Sequence, residues 1–145
     1  MTKVGDIMNT DVKCVSPSTP VIEVAHQMRI SKRGAIPVCN HLKFWGAITE
    51  RDIVNVVATA GDPVTLPAGS LIKKQQPFIS PSADLMEAAE KMAGSGIRVL
   101  PVVQDGKLVG LFTLEDLARQ NLALAAMVFS KILELQVSSG QGGTS

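Results

Sequence analysis

Apolar positions along the chain fall into blocks of two kinds. VIEVAHQMRI (21–30) and LMEAAEKMAG (85–94) return to apolar residues every three or four positions, the period of a helix buried on one face. AIPVC (35–39), FWGAI (44–48), VLPVV (99–103) and LVGLF (108–112) are nearly unbroken apolar runs, the pattern of buried strands. The first helix is expected to bury Ile22, Ala25 and Met28, with Val21 and Val24 near that face, and its partner to bury Leu85, Ala88, Ala89 and Met92. Thr19 is the expected N-cap with Pro20 at the first helical position, and Gly94 and Gly96 should end the partner helix. Asp105-Gly106 between two apolar runs predicts a hairpin, and the matching His41-Leu42, which lacks glycine, predicts a different turn. Short strands are expected at Val12–Val15 and Pro77–Ile79, and further helices from Glu50 to about Ala60 and from Leu114.

The blocks recur in the same order because the chain repeats itself. Residues 4–55 align with 68–119 at an offset of 64 without a gap, and 14 of the 52 positions are identical: Gly5, Ser16, Pro17, Ser18, Glu23, Ala25, Met28, Ser31, Pro37, Val38, Lys43, Gly46, Thr49 and Asp52 meet their counterparts. About three identities would arise by chance at ordinary residue frequencies. Two copies suit a pseudo-twofold pair better than a solenoid, which needs at least three. Each copy reads β-α-β-β-α, and a single copy is too small to bury much surface alone. The expected class is α+β: two tandem repeats related by a pseudo-twofold axis and packed sheet to sheet. The expected boundaries are 1–61 for the first repeat, 62–67 for a linker, 68–121 for the second repeat, 122–137 for a C-terminal helical extension and 138–145 for a disordered tail. The extension LALAAMVFSKILELQV is apolar on more than one face and could cover a partner chain or its own core.

Charge removes some function classes. The formal net charge of +1 gives no field for nucleic acid or an anionic membrane, and aromatics are 3% of residues, too few for a base-stacking platform. There is no leader and no apolar run of transmembrane length, so a cytoplasmic protein with no membrane insertion is expected, with Cys14 and Cys39 as reduced, buried thiols. No metal-ligand spacing, no nucleophile beside a base and no Walker-type loop is present, so neither a metal nor catalysis is expected.

The candidate chemistry lies at the end of each strand pair. GAITERD (46–52) and GLFTLED (110–116) share Gly, two apolar residues, Thr, two variable residues and Asp. Thr49 and Thr113 can each cap the following helix, with Asp52 and Asp116 bonding back to the cap N–H. The same groups suit a ligand. Gly46 and Gly110 allow close approach, a helix N-terminus attracts phosphate, and a carboxylate can accept both hydroxyls of a vicinal diol. Both readings can hold together.

These residues, in this order and duplicated, resemble the tandem cystathionine β-synthase (CBS) domain pair, or Bateman module. DIMNTDVKCVSP, AIPVC and GAITERDI carry the resemblance in the first copy, and FISPSADLMEAAEKM and VLPVVQDGKLVGLFTLEDL in the second, over about residues 3–120. It implies a regulatory sensor of the small free-standing kind that binds AMP, ADP or ATP in the cleft between repeats and signals occupancy to an unknown partner. It implies Asp52 and Asp116 as ribose ligands, and Thr49, Thr113 and Arg98 as phosphate or hydroxyl ligands. Position 34, which matches Arg98, holds glycine, so Lys32 and Arg33 are the first-copy candidates. Ile36, Pro37 and Ile48, with Leu100, Pro101 and Phe112, are the candidate adenine slots, although core strand residues would look the same. Arg51 is replaced by Glu115 in the second motif, so the two sites should differ, and Asp116 with Arg98 is favoured for phosphate. A homodimer through the helices is implied as well. S-adenosylmethionine, NAD(H), nucleic acid and a ligand-free scaffold are the alternatives.

Overall fold

The computed structural model describes residues 1–73 and 76–143, with side chains to 136. Its elements are α1 (Val4–Ile7), α2 (Val21–Ser31), β1 (Ala35–Asn40), β2 (Lys43–Thr49), α3 (Glu50–Ala58), a 3-10 turn (Ala68–Leu71), α4 (Leu85–Ser95), β3 (Val99–Gln104), β4 (Lys107–Thr113), α5 (Leu114–Gln120) and α6 (Leu122–Gly143). The protein is α+β, with four strands in an antiparallel sheet of order β1-β2-β4-β3. Each copy keeps the expected succession except for its first strand. Val12–Val15 and Pro77–Ile79 reduce to single parallel bridges, Val15 to Val38 and Ile79 to Val102. The Ser-Pro turns that follow at 16–17 and 80–81 bend the chain away before a second pair can form.

The chain packs as two compact units, and neither coincides with one sequence repeat. One holds Met1–Asp11, Pro77–Gln104 and the chain from Val109 onward; the other holds Val12–Gln76 and Asp105–Leu108. The leading segment of each repeat thus docks on the other repeat, crossing the boundary expected at 62–67. In the first unit Val4 N–H donates to Ala83 O and Gly5 N–H to Pro81 O, both at 2.8 Å. In the second, the matching Ala68 N–H donates to Thr19 O at 2.7 Å and Gly69 N–H to Pro17 O at 2.8 Å. A Cβ on Gly5 would lie 3.0 Å from Pro81 O, and one on Gly69 3.1 Å from Pro17 O. The repeat identities Gly5/Gly69 and Pro17/Pro81 therefore record one docking geometry used twice.

Each unit has its own core. Val24, Met28, Ile36, Val38, Ile48 and Ala68 form one; Leu100, Val102, Phe112, Leu117 and Met92, with Val4, head the other. Helix α2 buries Val21, Val24 and Met28, whereas Ile22, expected on that face, is exposed. Helix α6 adds Ala125, Val128 and Ile132 to the larger core and packs on α4 and α5, so the C-terminal extension covers its own unit. Asn121, extended at φ −154, separates it from α5. The backbone stays helical to Gly143, beyond 137, where the extension was expected to end, since adding residues to a formed helix is easier than starting one. Residues 144–145 of the expected disordered tail lie outside the described residues.

Two local expectations change. Helix α2 starts after Pro20 with no side-chain cap, because Thr19 Oγ1 is engaged by Ser16 N–H at 3.1 Å inside the Ser-Pro turn. Its partner α4 has a side-chain cap, with Asp84 accepting from Glu87 N–H at 2.8 Å. The two hairpin turns are of one type, not two: His41 and Leu42 have φ of 49 and 73, and Asp105 and Gly106 have 53 and 78. Leu42 thus holds a left-handed conformation that Gly106 adopts freely, at about 1–2 kcal/mol of steric strain. The Leu42 side chain is 62% exposed, so nothing in the core requires it. Leu42→Gly should stabilise the protein by about 0.5–1 kcal/mol after the added unfolded-state entropy is subtracted, read as a rise in urea midpoint at unchanged slope.

Candidate functional site

The strand-to-helix junction of each unit is built by a reciprocal cap. In the second unit Thr49 is extended and ends β2, and its Oγ1 accepts from Asp52 N–H at 3.3 Å. Asp52 Oδ2 in turn accepts from Thr49 N–H at 2.8 Å and from Thr49 Oγ1–H at 3.1 Å. In the first unit Thr113 Oγ1 accepts from Asp116 N–H at 3.1 Å, and Asp116 Oδ2 from Thr113 N–H at 2.9 Å. Capping therefore uses one oxygen of each carboxylate. The other stands beside a cation: Asp52 Oδ1 lies 3.9 Å from Lys73 Nζ, and Asp116 Oδ1 lies 3.0 Å from Arg119 Nη1. Asp52 is 9% exposed, and both cations are largely in solvent.

Neither Lys73 nor Arg119 was singled out in the sequence. Arg119 follows Asp116 by one helical turn, and that spacing would have found it. Lys73 comes from a segment 21 residues beyond Asp52, and no local pattern connects the two.

The residue at position 34 or 98 is fastened to the junction through its backbone. Glu50 N–H donates to Gly34 O at 3.0 Å and Leu114 N–H to Arg98 O at 2.8 Å. The Arg98 guanidinium lies over the Phe129 ring of α6, 5.0 Å from its centroid, and makes no ion pair with Asp116. Lys32 is the left-handed residue that closes α2; it is exposed, Arg33 is half-buried, and neither pairs with Asp52 among the described residues.

The residues proposed for the adenine slots lie in the cores, and the two glycines face other parts of the chain. Ile36 and Ile48 lie in one core, Leu100 and Phe112 in the other, and Pro37 is fully buried. Ile36 and Ile48 are cross-strand partners on the face that packs against α2, whereas Pro37, the next residue along β1, points to the opposite face and is buried there. Pro37 O accepts from Val15 N–H at 3.0 Å and Pro101 O from Ile79 N–H at 2.9 Å, so each proline marks where the short parallel bridge attaches. The glycines admit the chain itself. A Cβ on Gly46 would meet Ile72 Cγ2 at 2.9 Å, and one on Gly110 would meet Asn9 O at 3.0 Å.

The thiols are both free, Cys14 exposed and Cys39 buried. Burial, then the hydrogen bond and charge of Cys14, push Cys39 up to about 12. Cys14 is thus not the buried thiol expected. No three His, Cys, Asp or Glu side chains converge on one point among the described residues, and no helix of the described residues is long and apolar enough to cross a membrane.

Comparison with known proteins agrees with the duplication. The CBS domain model matches residues 4–59 and 68–122. Hypoxic response protein 1 of Mycobacterium tuberculosis is 34% identical over 135 residues, covering 92% of this chain and 94% of that protein. A crystal structure of Hypoxic Response Protein I with two coordinated zinc ions has a TM-score of 0.76 at 33% identity, over 83% of this chain and 99% of the other. A crystal structure of CBSX2 in complex with AMP has a TM-score of 0.74 at 25% identity, over 86% and 98%.

Proposed function

The chain belongs to the CBS domain family as a tandem pair, and from that premise we propose that it is a regulatory module binding an adenosine-containing ligand (AMP, ADP or ATP) at the Thr49–Asp52 and Thr113–Asp116 junctions. The observation that carries this reading is the divided use of each carboxylate. Oδ2 completes the cap and holds the side chain still; Oδ1 is left to accept from a ribose hydroxyl. Lys73 and Arg119, now beside Oδ1, are positioned to pair with phosphate once a ligand enters, with Arg98, Lys32 and Arg33 as further cations. The complex of one structural relative with AMP supports the same class of ligand. The base would rest on main-chain edges and not on the buried slot residues. Occupancy would reach a partner protein by shifting the populations of conformations with different ligand affinity. The module itself performs no chemistry on the nucleotide in this reading, and a homodimer in the cytoplasm is its working form.

The test is a thermal-shift series with AMP, ADP, ATP, S-adenosylmethionine, NADH and zinc on wild type, Asp52→Ala and Asp116→Ala. At 100 times its Kd a nucleotide stabilises by about 2.7 kcal/mol, a shift of several degrees for a domain of this size. Each single variant should lose part of that shift. No shift with any adenosine compound at millimolar concentration sinks the sensor reading, and full shifts in both variants move the ligand elsewhere.

A further inference from the structure

One side chain covers the edge of β2 beside the Thr49–Asp52 junction. Gln76 Oε1 accepts from Ala47 N–H, and Gln76 Nε2 donates to Ala47 O at 2.8 Å. A single carboxamide thus occupies both main-chain groups of a single strand residue. The residue matched to Ala47 by the repeat is Leu111, and it is covered differently. Leu111 N–H donates to Asn9 O at 2.9 Å, and Asn9 N–H donates to Leu111 O at 2.8 Å. One edge is closed by main chain, and opening it requires residues 8–10 to peel away. The other is closed by a side chain that leaves by rotating its own torsions.

The chemistry of the Ala47 edge is specific. It presents a donor and an acceptor in one plane, so its complement is a planar group carrying an adjacent acceptor and donor. A carboxamide is one such group. Adenine is another, through ring N1 and the exocyclic N6 amine. Two residues further along β2, Thr49 N–H is bonded to Asp52 Oδ2, so edge and carboxylate belong to one short stretch of backbone. Gln76 meets Ala47, and Lys73, three positions earlier in the sequence, lies 3.9 Å from Asp52 Oδ1. Lys73 and Gln76 therefore stand on the carboxylate and on the strand edge of one junction. Gly46 makes this possible, because a Cβ there would run into the Gln76 carboxamide.

We infer that Gln76 is a resident competitor for the base at the first-copy junction. Its carboxamide stands in for the base edge on Ala47, and an adenosine ligand enters when Gln76 rotates away. The junction at Leu111 has no such movable cover, so the first-copy junction fills first, the reverse of the order that Arg98 suggests in the sequence. The inference rests on the nucleotide reading above and adds the residue that regulates it.

Calorimetric titration of wild type and Gln76→Ala with AMP and with ribose 5-phosphate tests it. Removing two hydrogen bonds that must break on binding should raise AMP affinity about tenfold. Ribose 5-phosphate has no base, and its affinity should not change. A second measurement needs only the wild type: on adding AMP, the Gln76 side-chain amide and the Ala47 backbone amide should both shift in the nuclear magnetic resonance spectrum, and Leu111 should shift only at higher AMP concentration. Equal AMP affinity in the two proteins, or AMP binding that leaves the Gln76 amide unmoved, overturns the competitor and leaves the nucleotide reading intact. If neither protein binds AMP while both melt cooperatively, the nucleotide reading fails and this inference falls with it.

Discussion

Phe112→Ala is expected to lower the unfolding free energy by about 3–5 kcal/mol, with or without nucleotide. Phe112 is fully buried, and its core neighbours include Leu100, Leu117 and Met92 from three other elements. Truncation removes the transfer free energy of the ring and leaves a cavity that strands and helices packed on several sides cannot close. Urea denaturation reads the loss directly. The outcome separates two roles that look alike in the sequence. A slot residue would lose ligand affinity and change stability by less than about 1 kcal/mol, as exposed positions do. Phe112 should instead unfold the protein early and leave nucleotide affinity close to wild type in whatever fraction stays folded.

Ile132→Asp should be at least as damaging, at about 4 kcal/mol or more, because it places an unpaired carboxylate where the wild-type side chain is fully buried. The control is Met127→Asp on the same helix, where the side chain is 66% exposed, and it should stay within about 0.5 kcal/mol. Thermal melts of the two variants side by side decide whether α6 is core or an outward-facing appendage. A small effect of Ile132→Asp would show that the larger core closes without the helix. Loss of stability in both would mean that the Met127 face is covered as well, which Met127→Asp at varied protein concentration would reveal as a dimer.

Much of the fold is legible along the chain because its causes are local. The periods of 21–30 and 85–94, the apolar strand runs and Asp105-Gly106 each fix an element through residues within one or two turns of each other. The offset of 64 turns these elements into a duplicated pair. The junction caps are equally local: Thr49 with Asp52, and Thr113 with Asp116, are three residues apart. The turn at His41-Leu42 shows the limit of local chemistry, since pairing of β1 with β2 imposes on leucine the conformation that glycine accepts freely.

The features that admit two readings in the sequence share a different cause. Ile36, Ile48, Leu100 and Phe112 could line a slot or fill a core, and only the position of the helices decides which side of a strand is inside. Gly46 and Gly110 announce a close approach without saying whose atoms approach, and the answer came from Ile72 and Asn9, distant in sequence. The duplication can be read from the offset of 64, and the element order and the two carboxylate caps from composition and spacing within a few residues. Packing alone reveals that each leading segment docks on the opposite repeat, that Lys73 and Gln76 stand on the first junction, and that Asn9 closes the edge at Leu111. Those contacts join residues whose separation along the chain carries no pattern, and their partners are fixed by which surfaces remain open once the local elements have formed.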